Sequence, residues 1–392
     1  GGMTMFSNPA VLAPVADVIF LGEAENLVPV FSRHFEQHPR KDELLDGLEH
    51  EPGFYIPSVA QATPLQVQHW PIRNQEPATS FCIPQQAHMR MFMIEVGRGC
   101  GRGCRFCSAG HVYHPFRQWP VDKIVDTVHA YARPGDRIGL VGAALSDYQD
   151  LDQLCTRLLD SGYLISLSSL RVDRITAPLL RAMEKSGLDR ITMAPEAGSE
   201  RLRRVIGKNL SEDTIFAAAD LLARSGIKLI KVYYMIGLPF ETLEDIEAIL
   251  LLTQRLAAHL PHQQLRVGLS QFIPKAFTPF QWAAVENEKT IKVKWKRLSA
   301  GLRQIPGVSV SPMNPREDRI QALLSLGDRE LGLRLTEVEQ PLSWRGEKET
   351  LGNAPRSGEY TDALPWDFID GGQRKEVLWK GWLSAKTHAE NG

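Results

Sequence analysis

The sequence predicts an α/β protein organised around parallel strands. Two features carry that expectation. From residue 91 onward, apolar runs alternate with amphipathic runs in six strand-then-helix units, a rhythm that calls for parallel strands joined by right-handed crossovers. Hydrophobic residues form 43% of the 392, enough to bury a sizeable core in one large domain with appendages or in two domains. Six units fall short of the eight of a complete barrel, so an incomplete barrel and a doubly wound sheet both satisfy the pattern.

The elements follow in order. ADVIFLGEAE reads as an apolar strand and LVPVFSRHFEQ as a helix. One strand and one helix do not make a domain, so residues 1–40 read as the last βα unit of an open α/β sheet whose earlier units are absent. The leading Gly1 and Gly2 read as a cloning scar or as the loop of that sheet. Residues 41–90 are rich in Pro and Gln, with short extended pieces such as GFYIPSV and FCIPQQ, the pattern of a linker wrapping onto the next domain. MFMIEVG then reads as a buried strand, VDKIVDTVHAYA as an amphipathic helix, RIGLVG as a strand and LDQLCTRLLDSG as a helix closed by glycine. LISLSSLRV and APLLRAMEKSG repeat the pair. RITMAPE and SEDTIFAAADLLARSG repeat it again, the helix with Ser211 at its N-cap and acids in its first turn. IKLIKVYYMIG, TLEDIEAILLLTQRLAAH and QLRVGLSQFIP complete the series. Beyond residue 285, the basic stretch ENEKTIKVKWKRLSAGLRQ reads as a solvated helix face in preference to a phosphate site. REDRIQALLSLGDRELGLRL reads as another helix, and the Trp-, Gly- and Pro-rich tail from 340 as a wrap across the surface.

A net charge of −1 gives neither nucleic acid nor an acidic membrane surface a reason to bind. No apolar run reaches the roughly 18 residues of a membrane span, and no basic-then-apolar signal peptide opens the chain, so the expected location is the cytoplasm. The five cysteines are Cys82, Cys100, Cys104, Cys107 and Cys155, three of them crowded into RGCGRGCRFCSAGH. An odd count with three clustered is a poor disulfide framework and, in a cytosolic chain, reads as a metal site.

The spacing is Cys100-x-x-x-Cys104-x-x-Cys107. Zinc sites usually offer four ligands, so His111 or His114 would have to complete a three-cysteine, one-histidine set. A 4Fe–4S cube takes one thiolate per iron. Three thiolates leave one iron open to a substrate or cofactor with its own N and O donors. Gly97, Gly99, Gly101 and Gly103 let the backbone curl so that amides point at sulfur. Arg98, Arg102 and Arg105 are expected to offset the cluster's negative charge, and Phe106 to shield one face. The loop follows a strand, so it sits at the carboxyl end of the sheet, where α/β enzymes build active sites. Cys155 reads as a small buried hydrophobe, and Cys82 as core or as an auxiliary ligand. His111, Tyr113, His114 and Arg117 line either a substrate mouth or an ordinary loop surface.

In this setting of strand, loop, helix and further βα units, CGRGCRFC resembles the CxxxCxΦC signature of the radical S-adenosylmethionine (SAM) enzymes, over residues 91–285. The resemblance implies an α/β fold with a partial (β/α)6 barrel of TIM type and a 4Fe–4S cluster on Cys100, Cys104 and Cys107. It further implies SAM chelated by the open iron and cleaved reductively to a 5′-deoxyadenosyl radical, with an electron donor such as flavodoxin or ferredoxin. Cofactor-binding positions follow from the same resemblance. Phe106 is one. Gly142 in VGAALSDY stands where the family has Gly-Glu; here Ala143 and Ala144 follow, leaving the SAM amino group to backbone carbonyls or to Ser146 and Asp147. SLSSLRVD supplies Ser168, Ser169 and Arg171, whose fork suits the SAM carboxylate or is an ordinary strand-end arginine. Glu196 in APEAGSERL matches a ribose or amine contact. Lys231, Tyr233 and Gly237 in IKVYYMIGLPFET fall in the stretch that passes the adenine. By period two, Lys231 and Tyr233 share one strand face and Tyr234 takes the other, and a lysine inside an apolar strand calls for a partner or a function. The backbone near Phe272 and Ile273 flanks adenine, or the aromatics of that stretch pack the core.

A narrower resemblance rests on ADVIFLGEAE, IEVGRGC, CRFCSAGHVYHPFR, APEAGSERL, GLPFET, FIPKAFTPFQW and PWDFID together. These resemble radical SAM proteins with an N-terminal cobalamin-binding domain, in which a strand bearing GEAE or GEGE closes a Rossmann-like domain before the barrel. The implied plan is a remnant of that Rossmann-like domain over 1–40, a linker over 41–90, the radical SAM core over 91–285 and a helical and irregular C-terminal extension over 286–392. The DxHxxG stretch that ligates cobalt in many such domains does not occur. The expected function is a radical SAM enzyme that abstracts hydrogen from a small molecule or peptide, with cobalamin-dependent methyl transfer as the leading outcome. Methylthiolation, cyclisation or rearrangement is the alternative. A non-enzymatic zinc protein is the third reading, and it leaves the loop's place on a βα array unexplained.

Overall fold

A computed structural model describes residues 8–59, 63–72, 76–82, 91–336 and 358–391. Near its start, β1 (Ile19–Phe20) pairs antiparallel with β2 (Phe54–Tyr55). Gly22 bridges in parallel to Gln68, just beyond β3 (Leu65–Gln66). Between these strands, α1 (Ala24–Gln37) and α2 (Lys41–Leu48) close a small core of Leu27, Leu44, Leu48, Phe54 and Ile56. Only two residues of ADVIFLGEAE are strand. Gly22 (φ +142°) turns the chain into α1, where a Cβ would stand 2.2 Å from the Gln68 carbonyl oxygen. Segments expected as linker therefore pair directly with the segment expected as a domain remnant.

The larger unit holds two sheets. In the first, β4 (Thr79–Cys82) runs antiparallel to β5 (Met91–Arg98), which pairs in parallel with β7 (Arg137–Gly142), and β7 with β8 (Leu164–Leu167); β6 (Arg117–Gln118) closes antiparallel on the end of β5. In the second, β9 (Arg190–Glu196), β10 (Leu229–Ile236), β11 (Gln264–Gln271) and β12 (Val308–Val310) are all parallel. Leu170 N donates to Thr192 O at 3.4 Å between the two. Helices α3 (Val121–Tyr131), α4 (Leu151–Asp160), α5 (Ala177–Lys185), α6 (Glu200–Val205), α7 (Glu212–Ala223), α8 (Leu243–His259) and α9 (Glu288–Leu302) intervene. Alternate strand residues such as Ile94, Ile138, Ile165, Ile230 and Val267 are fully buried against the helices. Their neighbours, by the two-residue period, form an inner face on which Val141 and Tyr233 each remain 42% exposed.

Three expectations shift. LISLSSLRV is strand only to Leu167, because the amide of Arg171 leaves the ladder and donates to Ser146 Oγ at 3.0 Å. REDRIQALLSLGDRELGLRL is two helices, α10 (Pro315–Leu326) and α11 (Arg329–Thr336), divided where Asp328 accepts from the Leu331 amide at 2.9 Å. The described part of the tail forms β13 (Ile369–Asp370), parallel to β3, and α12 (Lys375–Glu390), whose Trp379 and Trp382 stand edge-on to Trp282 and Phe280. Gly1, Gly2 and residues 340–357 lie outside the described residues. Among the described residues no helix is long and apolar enough to cross a membrane.

Candidate functional site

The cysteine loop leaves β5 where Gly97 faces Gly142 on one side and Gln118 on the other. A Cβ on Gly97 would stand 2.8 Å from Arg117 O, and one on Gly99 (φ +82°) 2.1 Å from Tyr113 O. Gly110, which sequence reasoning passed over, packs so that its Cβ would meet Arg102 O at 2.3 Å. Gly101 and Gly103 meet no such barrier, so the curl depends on two of the four expected glycines and on a third beyond the motif. From outside, Arg105 N donates to Ile206 O and Phe280 N donates to Arg105 O.

Cys104 is buried and Cys100 and Cys107 partly so, and none is in a disulfide. Burial pushes all three thiols up, Cys107 to about 11; Cys104 raises both of the others further, and Cys100 raises Cys107. Against this, the Arg102 amide donates to Cys100 Sγ at 3.4 Å and the Ala109 amide to Cys107. For Cys104, burial is opposed by the charges of Lys208 and Arg171, Arg171 also hydrogen bonding the sulfur. Amides and cations aimed at sulfur are the surroundings a thiolate ligand needs.

The zinc alternative fares worse. Among the described residues no three His, Cys, Asp or Glu side chains converge on one ion, whereas a cube seats each thiolate on a different iron. Both ring nitrogens of His111 are engaged, Nδ1 with Gln373 Oε1 at 2.9 Å and Nε2 with Cys104 O at 3.2 Å. Cys155 is fully buried in α4, its thiol pushed up to about 12 by burial, as expected of a small hydrophobe. The side chain of Cys82 lies outside the described residues.

Of the three loop arginines only Arg98 is spent wholly on carboxylates; Arg102 is shared between Asp147 and the charge of Cys100, and Arg105, bound to neutral acceptors, keeps its charge for Cys104. Arg98 binds Glu95 and Glu23 at 2.9 Å and Glu25 at 2.5 Å. Arg102 forks onto Asp147 at 2.7 Å, and Arg105 donates to Arg204 O, Val205 O and Ser384 Oγ. Arg171 and Lys208 add two further cations beside Cys104. Lys208, which sequence reasoning missed, is buried and paired with Glu196 at 2.8 Å. No spacing signal marks it, because it enters from the loop after α6.

The other expected residues fall as follows. Arg171 closes its fork on Asp173 (2.9 and 3.2 Å), the pairing its geometry favours. Ser146 accepts the Arg171 amide, and Asp147 is held by Arg102 and Arg174. Ser168 and Ser169 are exposed just above the sheet. Phe106 packs into the cluster of Leu202, Val205 and Phe280. Glu196 ends β9 with φ +69°, a conformation a non-glycine residue holds only under constraint. Gly237 (φ +77°) is fixed by Glu241, whose carboxylate accepts its amide at 3.1 Å. Lys231 and Tyr233 lie on the inner face and Tyr234 on the helix side, where its hydroxyl accepts from Thr253. Phe272 and Ile273 are buried, Phe272 against Phe280, which is core packing. A cavity of about 440 Å³ opens beside the loop, between Glu23 and Glu25 on one wall and Gly97, Gly99, Val141 and Ala143 on the other. Tyr113 also lines it, while Arg117 is spent on Glu23.

Residues 94–253 match the radical SAM superfamily. Over 385 residues the chain is 31% identical to the uncharacterized protein MJ0966 of Methanocaldococcus jannaschii, covering 96% of this chain and 80% of that one. The chain belongs to the radical SAM superfamily. Membership implies an enzyme that carries a 4Fe–4S cluster and uses SAM. The radical SAM chain is also 27% identical over 171 residues to the uncharacterized protein MK0932 of Methanopyrus kandleri, 38% of this chain and 32% of that one. It shares the α/β fold, with parallel sheets, of the radical SAM methyltransferase TsrM from Kitasatospora setae, solved with cobalamin and a 4Fe–4S cluster bound. The TM-score is 0.51 at 14% identity, over 72% of this chain and 59% of that one. The chain therefore spans less than two thirds of the TsrM structure, and the likeness is one of fold.

Proposed function

We propose that this radical SAM enzyme holds its cluster on Cys100, Cys104 and Cys107 and its SAM over the carboxyl ends of β5, β7 and β9. The observation that carries the reading is Cys104: a buried thiol on a loop at the parallel sheet's carboxyl edge, hydrogen bonded by Arg171 and next to Lys208. The residues present fit the cluster, since three separate thiols meet amide and cationic donors. When bound, the cluster supplies the electron that splits the sulfonium C–S bond of SAM, yielding the 5′-deoxyadenosyl radical that abstracts hydrogen from substrate. Lys208 balances thiolate charge while holding Glu196 at the site. Arg171, shared between Asp173 and Cys104, stands where a carboxylate of SAM can compete for its fork. Carbonyls beyond Gly142 accept from the amino group, and Ser169, Tyr233 and Gly237 border the nucleoside. In this reading the two sheets are halves of one open (β/α)6 barrel whose inner face is the substrate chamber.

Methyl transfer through cobalamin is the favoured outcome. The GEAE segment, Gly22 to Glu25, forms one wall of the cavity beside the cysteine loop, where a corrinoid would meet SAM. The TsrM structure of like fold holds cobalamin. The radical SAM core is proposed to span 91–285, with 286–392 as an extension. A low-potential donor such as flavodoxin or ferredoxin and a reducing cytoplasm suit three free thiols. The test is anaerobic reconstitution. About four irons per chain with visible sulfur-to-iron absorbance are expected, and one zinc without that absorbance would overturn the cluster. With reductant and SAM, 5′-deoxyadenosine should be released. S-adenosylhomocysteine alongside it supports methyl transfer, and its absence favours a non-methylating outcome.

A further inference from the structure

On the inner face, Lys231 of β10 is in register with Arg266 of β11 on one side and with Thr192 of β9 on the other. Neighbouring strands lie about 4.8 Å apart, so two cationic side chains leave the same face side by side. Like charges so placed are destabilising, and a screening length of about 8 Å at physiological salt does not separate them. Neither Lys231 nor Arg266 makes an ion pair or side-chain hydrogen bond with a described residue. The carboxylates that strands bring to this face are already spent, Glu95 on Arg98 and Glu196 on Lys208. Above the cations, the Tyr233 ring reaches over Gly268, where a Cβ would stand 2.5 Å from the ring's Cε1. Glycine there makes room for an exposed aromatic shelf directly above Arg266.

We propose that Lys231 and Arg266 form an anion-binding site that anchors the acidic end of the substrate inside the sheet, with the body of the substrate rising past Tyr233 toward the cysteine loop. This deepens the radical SAM reading and rests on it for the identity of the reacting end. Lys231 is five residues below the carboxyl end of β10, about 16 Å of strand, so the substrate is an elongated molecule with a carboxylate or phosphate at its far end. The site accounts for a lysine in an otherwise apolar strand better than a contact with adenine does.

The experiment uses the purified full chain and two probes, inorganic phosphate and benzoate, with chloride at equal ionic strength as reference. Saturable thermal stabilisation by a probe in the millimolar range is expected, and the probe giving the larger shift identifies the head group. Lys231→Met and Arg266→Met should each weaken it about tenfold or more, while Arg266→Lys, which keeps the charge, retains it within a few-fold. Without probe, each Met variant should melt at or above the wild-type temperature, because a like-charge contact is gone. Equal shifts with chloride, unchanged binding in the Met variants, or a lower probe-free melting temperature, the mark of a counter-ion supplied by the chain, would each overturn the proposal. Release of 5′-deoxyadenosine by the wild-type protein reports on the radical SAM reading separately, so either idea can fail alone.

Discussion

Gly99 and Gly103 stand four residues apart in the cysteine loop and look alike in the sequence. Only Gly99 has positive φ and a carbonyl against it. Gly99→Ala should therefore cost the loop about 1–3 kcal/mol and most of its iron after reconstitution, whereas Gly103→Ala should retain wild-type iron content. Cys104→Ala should abolish both iron binding and 5′-deoxyadenosine release, and Cys155→Ala neither. Lys208 makes a second test. Replacing it by Met strands the Glu196 carboxylate beside a thiolate, a loss of roughly 3 kcal/mol; adding Glu196→Gln should restore part of the melting temperature. The cysteines were legible because their spacing is local and the chemistry of three thiolates is specific. Lys208 was not, because what matters is its approach to Cys104 across some hundred residues of chain.

Among the elements, α8 shows why some boundaries were readable. Thr242 accepts from the Asp245 amide, and Asp245 accepts back from the Thr242 amide at 2.8 Å, a reciprocal cap that starts the helix at Leu243. Thr242→Ala should cost about 1 kcal/mol in thermal melts. Asp245→Ala should cost more, roughly 3 kcal/mol, because Asp245 also binds Ser199 and Arg201. That junction explains APEAGSERL as much as any cofactor does. Gly198 lies against α8, where a Cβ would meet Ile249 N at 2.2 Å, and buried Arg203 donates to Ala197 O, Gly198 O and Leu210 O. Strands β5, β7, β9, β10 and β11 were legible from apolar alternation. The shortening of β8 and the split between α10 and α11 were not, since each turns on one side-chain oxygen, Ser146 Oγ or Asp328 Oδ1.

Across the whole molecule, the N-terminal segment is fastened to the core by charge. Glu23 is buried, which alone would raise its pKa, yet the His69 ring 3.8 Å away and hydrogen bonds from Arg117 and the Trp70 amide hold it far below its ordinary 4.5. Glu25 is likewise opposed by burial and lowered by Arg98. A carboxylate depressed in the folded state contributes stability that is full above its ordinary value and fades as pH falls toward the folded one. The cluster-free protein should therefore lose melting temperature on acidification below about pH 4.5, with amide exchange rising first around residues 19–56. Glu23→Gln should flatten that profile. The α/β rhythm of the core was readable in advance. The pairing of β1 with β2 was not, because it depends on contacts between stretches that carry no periodic pattern of their own.

The underside of the cysteine loop is finished by α12 and the turn that leads into it. Arg105 donates to Ser384, and His111 meets Gln373, more than 260 residues later. During synthesis, a ribosome that has released the first four parallel strands has exposed all three thiols while their supporting partners are still unmade. Metal delivery in the cell is therefore expected to follow synthesis of α12, and a polypeptide stalled after α11 would offer its carrier a misshapen receptacle.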